Sequence, residues 1–105
     1  MITDPLNGQV AIVTGAGQGI GFEICRQFAL QGVSVLLNDI DEKLTSSAVK
    51  KLKDEGSNCI GLTGDAGDVS FINKLVKYAV NEFGKLNIAI AVSYTHLTLP
   101  TNREV

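Results

Sequence analysis

Val10-Ala11-Ile12-Val13-Thr14-Gly15-Ala16-Gly17-Gln18-Gly19-Ile20-Gly21 is the stretch on which the fold turns. Val10 to Val13 form an unbroken apolar run, the pattern of a strand buried on both faces. Glycines interrupt it at Gly15, Gly17, Gly19 and Gly21. Apolar residues then return at helical spacing, at Ile20, Ile24, Phe28 and Ala29. Gln31-Gly32 closes that helix, with glycine as its C-terminal cap. The reading is strand, glycine turn, helix.

The same alternation continues outward. Val33 to Leu37 is a second strand closed by Asn38-Asp39, and Asp41 caps a second helix whose apolar positions are Leu44, Ala48, Val49 and Leu52. Gly56 stops it. A third strand runs from about Asn58 to Leu62. Asp68 or Ser70 caps a third helix carrying Phe71, Ile72, Leu75, Val76, Ala79, Val80 and Phe83, which Gly84 ends. Leu86 to Ile90 is a fourth strand. Strands alternating with helices through short turns imply crossover connections and a parallel sheet. The expected fold is α/β, a Rossmann-type doubly wound parallel sheet of order 3-2-1-4, truncated after the fourth strand. The 105 residues suffice for one small domain and not for two.

The glycines carry the chemical signal. Glycine lets a backbone approach a phosphate without a Cβ in the way. A helix starting behind the turn offers unpaired N–H groups and a positive dipole end to a pyrophosphate. Glycines alone would be a weak pointer; a buried strand before them and a helix after them supply the required context. The spacing is T-G-x-x-x-G-x-G, with Ile20 where G-x-G-x-x-G has its third glycine. No Gly-Lys-Ser/Thr follows, so a P-loop is excluded. An adenosyl-dependent methyltransferase needs no pyrophosphate cradle, which argues against that alternative.

Asp39 is the second signal. It stands roughly 20 residues past the glycine turn, at the end of the second strand, where a carboxylate can accept ribose hydroxyls. A 2′-phosphate there would meet a like charge, and neither Gln18 nor Ile40 is basic. The expected cofactor is therefore NAD(H) rather than NADP(H).

These residues resemble the short-chain dehydrogenase/reductase family. Val10 to Gly21, Asn38-Asp39, Gly64-Asp65 and Phe83-Gly84-Lys85-Leu86-Asn87-Ile88 carry the resemblance, which covers about Leu6 to Ile90. It implies that Gly15, Gly17, Gly19 and Gly21, with Gln18, form the pyrophosphate turn and that Ile20 lies near the nicotinamide. It also implies that Asp65 contacts the adenine amino group and that the Ala66 backbone meets the ring edge. Members of the family transfer hydride between a nicotinamide and an alcohol or carbonyl carbon, using a Tyr, a Lys four residues after it, a Ser and an Asn. Those residues would all follow the point where the resemblance ends, so no catalytic residue is assigned. The implied parent is an oxidoreductase with a small-molecule substrate, similar to 3-oxoacyl-carrier-protein reductases or sugar dehydrogenases, and a homo-oligomer. The rival reading is a non-catalytic dinucleotide-binding module.

The tail departs from the family, which continues its fourth strand into Asn-Ala-Gly. Val92 to Thr101 match a translation of GTC TCT TAT ACA CAT CTG ACG CTG CCG ACG, the end of a transposase-based sequencing adapter. The expectation is a dinucleotide-binding half-domain over residues 1–91 and a non-native tail over residues 92–105. Tyr94 then is no catalytic Tyr, since Thr98 stands where Lys is needed, and Ser93 and His96 carry no chemistry. The isolated chain is expected to be inactive, marginally stable and prone to self-associate through the open edge of its fourth strand.

Charge and composition exclude other classes. The net charge of -2 argues against a nucleic-acid footprint. Lys50, Lys51 and Lys53 cluster beside Asp54 and Glu55, the pattern of a solvated helix face. No apolar run reaches bilayer length and no signal pattern opens the chain, so the expectation is a cytoplasmic protein without a membrane partner. Cys25 and Cys59 lack metal-ligand spacing and are expected as buried reduced thiols, so no metal site is assigned.

Overall fold

A computed structural model describes residues 5–92. Their elements follow the order β1 (Val10–Thr14), α1 (Gly19–Leu30), β2 (Ser34–Asp39), α2 (Glu42–Asp54), β3 (Cys59–Thr63), α3 (Val69–Phe83) and β4 (Ile88–Ala91). Ser93 to Val105, and with them almost all of the segment expected to be non-native, lie outside the described residues.

The four strands form one sheet in the order β3-β2-β1-β4, with every neighbouring pair parallel. The expected architecture is therefore the observed one. Ala11 sits beside Val35 on one side and Ile88 on the other, and Val35 beside Cys59. Side chains alternate between the two sheet faces. Ala11, Val13, Val35 and Leu37 pack with Cys25 of α1 and with Ala48 and Leu52 of α2. Val10, Ile12 and Leu36 pack with Leu75 and Ala79 of α3. The central strands β1 and β2 are buried almost throughout, as helices on both faces require, whereas β4 is only half-buried.

The helix boundaries follow local chemistry. Asp41 accepts the Leu44 N–H at 3.0 Å and Asp68 accepts the Ser70 N–H at 2.9 Å, so both acids cap as their positions suggest. Gly84 ends α3 in the left-handed conformation, φ 84°. At the start of α1 the pattern breaks: Gln18 is extended and its side chain makes no capping bond.

Strand β2 ends at Asp39 as expected but begins at Ser34 rather than Val33, and β3 is shifted by one residue, to Cys59–Thr63. Strand β4 begins at Ile88 rather than Leu86, because Asn87 turns its Oδ1 back to accept the Val10 N–H at 2.9 Å, while Leu86 packs on the α3 side. Among the described residues no helix is long and apolar enough to cross a membrane.

Candidate functional site

Parallel strands end together, and the C-terminal ends of β1 to β4 place Thr14, Asp39, Thr63 and Ala91 along one edge of the sheet. In sheets of this kind ligands bind outside that edge, where the strand order reverses, here between β1 and β4. The glycine turn occupies this position.

The turn is held by its neighbours. Ala16 N–H donates to the Asn38 carbonyl at 2.8 Å, and Gly17 N–H donates to Asp39 Oδ2 at 2.9 Å. A Cβ on Gly17 would lie 2.8 Å from that same oxygen, so the close approach requires glycine. A Cβ on Gly21 would lie 2.5 Å from the Gly15 carbonyl oxygen, so α1 rests directly on the turn. Gly15 is left-handed, φ 63°, and packs against the Val92 carbonyl. Gln18, Gly19 and Ile20 are exposed at the start of α1, Ile20 to 76%. With no side-chain cap, α1 can present its leading N–H groups and dipole to an anion, unlike α2 and α3, which Asp41 and Asp68 cap.

Asp39 stands at the end of β2, the position from which a carboxylate was expected to accept ribose hydroxyls, and it is engaged within the chain. It is 1% exposed, Oδ2 accepts from Gly17, and Oδ1 accepts the Asp41 N–H at 3.0 Å. The last bond is an Asx turn, so Asp39 shapes the loop into α2 while Asp41 caps the helix.

A cavity of about 160 Å³ opens beside the turn, lined by Thr14, Gly15, Asn38, Ile40, Asp65 and Ala66 among others. Asp65 is exposed and its Oδ1 accepts the Gly67 N–H at 2.8 Å; Ala66 is half-buried beside it. The structure thus brings Gly15, Asp65 and Ala66 to one cavity and joins Gly17 to Asp39 behind it. Val92, part of the segment read from sequence as non-native, contributes through its main chain: its N–H donates to the Thr14 carbonyl at 3.3 Å. Asn38 belongs to no glycine pattern, and its signal is a polar residue at the inner end of an apolar strand. A larger cavity, about 470 Å³, lies away from the turn between α2 and the outer strand β3, near Thr45, Lys50 and Lys53. Cys25 and Cys59 are buried, free thiols, and no group of residues suited to a metal ion occurs among the described residues.

Comparison with known proteins agrees with this geometry. Residues 9–93 match the family described as short chain dehydrogenase. The chain is 38% identical over 87 residues to the peroxisomal 2,4-dienoyl-CoA reductase of Arabidopsis thaliana, covering 83% of this chain and 29% of the relative. It is 37% identical over 107 residues to elsinochrome reductase 1 of Elsinoe fawcettii, covering 97% and 40%. The crystal structure of hydroxysteroid dehydrogenase from Escherichia coli superposes with a TM-score of 0.87 at 29% identity, covering 96% of this chain and 44% of that one. A short chain dehydrogenase/reductase from Burkholderia phymatum in complex with NAD superposes with a TM-score of 0.78 at 30% identity, covering 85% and 31%. The chain spans less than half the length of these relatives.

Proposed function

The chain belongs to the short-chain dehydrogenase family, and we propose that it forms the NAD(H)-binding part of an oxidoreductase acting on an alcohol or carbonyl substrate. The observation that carries this reading is the uncapped start of α1 behind a glycine turn that has no room for side chains at Gly17 and Gly21. The Gly17 N–H serves the turn itself by donating to Asp39, and the leading N–H groups of α1, which no side chain caps, suit a pyrophosphate.

In this reading Gly15, Gly17, Gln18, Gly19 and Gly21 hold the pyrophosphate and Ile20 offers an apolar contact near the nicotinamide. Asp65 and Ala66 meet the adenine. Asp39 would set the preference for NAD(H), its negative charge at the end of β2 disfavouring a 2′-phosphate even though the carboxylate is enclosed; its bond to Gly17 also holds the turn in register. The cofactor, when bound, supplies or takes up hydride. The chain's own residues bind and orient it, and the Tyr, Lys and Ser chemistry of the family would come from residues beyond Ile90. No catalytic residue is assigned to this chain, which by itself would bind cofactor without turning over substrate.

The same reading gives the whole protein a small-molecule substrate, a homo-oligomeric state and a cytoplasmic setting, with residues 1–91 as the cofactor-binding half-domain and residues 92–105 as a non-native tail. Calorimetric titration of the chain with NAD and NADP tests the cofactor assignment. NAD should bind more tightly by about tenfold or more; equal or reversed affinities would contradict it.

A further inference from the structure

Asn38 is the penultimate residue of β2 and only 1% exposed. A primary amide at that depth needs partners for both of its polar atoms. Its nitrogen has them: Nδ2 donates to the Leu62 carbonyl at 3.0 Å and to the Gly64 carbonyl at 3.1 Å. These bonds fix the amide's orientation, since an oxygen in that place would face two carbonyls. Its oxygen does not: among the described residues no donor reaches Asn38 Oδ1. Asn38 is among the residues that line the cavity, together with Thr14, Gly64 and Asp65, and Oδ1 is the amide atom left without a partner there.

We infer that Asn38 determines specificity at the adenosine end of the site, with Nδ2 holding the wall formed by Leu62 and Gly64 and Oδ1 accepting a hydrogen bond from the exocyclic amino group of a bound adenine. This rests on the reading of the cavity as part of an NAD(H) site. A buried acceptor selects for a donor. The 6-amino group of adenine supplies one, whereas a 6-oxo purine presents a second acceptor and leaves Oδ1 unpaired. Asn38 also performs two tasks that one short side chain can combine only as an amide. Asp in its place would turn a carboxylate oxygen on the Leu62 and Gly64 carbonyls, and Leu would supply neither donor nor acceptor.

The test compares NAD with nicotinamide hypoxanthine dinucleotide on the full chain. Calorimetry should give NAD about tenfold the affinity, the ratio that one buried hydrogen bond supplies. Because Asp65 is also assigned to the amino group, the Asp65→Ala variant should retain a preference of about threefold or more, and adding Asn38→Ala should reduce it to about one. Nuclear magnetic resonance on the unmodified chain gives a second reading that needs no folded variant. Saturating NAD should shift the Asn38 side-chain amide resonances, and the hypoxanthine dinucleotide should leave them near their free positions. Equal affinities, or equal shifts from the two ligands, would overturn the inference while leaving the NAD(H) reading intact. Failure of both dinucleotides to bind would overturn the NAD(H) reading and this inference with it.

Discussion

The Gly17 main-chain N–H donates to Asp39 Oδ2 at 2.9 Å, tying the glycine turn after β1 to the last residue of β2. The other oxygen of the same carboxylate accepts the Asp41 N–H, so one side chain sets the geometry of two loops. Both loops border the candidate site, and a change at either partner should be felt in the other.

A Gly17→Ala substitution tests that link from the turn side. The new Cβ would lie 2.7 Å from Leu44 Cβ and 2.8 Å from Asp39 Oδ2. Neither neighbour can withdraw without moving α2 or breaking the bond to Gly17. Urea unfolding should show a loss of about 1–3 kcal/mol, typical of overpacking, and NAD affinity should fall by about tenfold or more. Unchanged stability and affinity would show that the turn is not held as described.

Asp39→Asn tests it from the strand side. Asparagine keeps one acceptor oxygen and loses the charge, so one of the two main-chain bonds loses its partner. Stability should fall by about 1–3 kcal/mol, and the affinity for NADP relative to NAD should rise by about tenfold once the like charge is gone. An unaltered NAD to NADP ratio would remove Asp39 from cofactor selection and leave it a purely structural role.

The thiols give a pH dependence. Burial pushes Cys25 up to about 12, with the neighbouring Cys59 adding to the rise. Burial also pushes Cys59 up to about 11, against the opposing pull of Lys53. Both values lie above the ordinary thiol value of 9.0, so with rising pH the unfolded chain loses these protons first. Their contribution to stability is complete below that value. It then falls as pH climbs through the folded values, by about 1.4 kcal/mol per pH unit and thiol. The urea midpoint should therefore drop above pH 9, and less steeply in Cys59→Ala. In the folded chain at pH 8 neither thiol should react with iodoacetamide, because the thiolate is the reactive form. Rapid alkylation of the folded chain would contradict the burial.

Strand β4 predicts association. Among the described residues it pairs only with β1, and Ala89 and Ala91 are exposed along it. The α3 side chains Val76 and Val80 are exposed as well. An open edge beside apolar surface favours self-association. Sedimentation velocity on the 105-residue chain should show mass rising with concentration. A monodisperse monomer with a cooperative thermal transition would contradict this.

Much of the fold is legible in the sequence because each element carries its own local signal. The apolar run of β1, the caps Asp41 and Asp68, and Gly84 at the end of α3 act through neighbouring residues and need no tertiary context. Parallel pairing follows from the alternation of strands and helices, and the strand order from the doubly wound class to which the glycine turn points. What local signals do not carry is the direction in which a polar side chain spends its hydrogen bonds. Asp39 stands at the expected place, yet its enclosure depends on Gly17, 22 positions earlier in the chain. Asn38 has its partners on β3 and the loop after it, 24 and 26 positions later. Ile20 fits the helical spacing of α1 yet is exposed, because the face that this helix buries runs through Gly21 and Cys25. The start of β4 slips for a related reason, since Asn87 is held by Val10 at the far end of β1.

The most direct test of the central claim is a nuclear magnetic resonance titration of the nitrogen-15-labelled chain with NAD. The account predicts that the largest amide shifts fall on Gly15 to Gly21, on Asn38 and Asp39, and on Asp65 and Ala66. Shifts confined to Thr45, Lys50 and Lys53, around the larger cavity between α2 and β3, or no shifts at millimolar NAD, would contradict it.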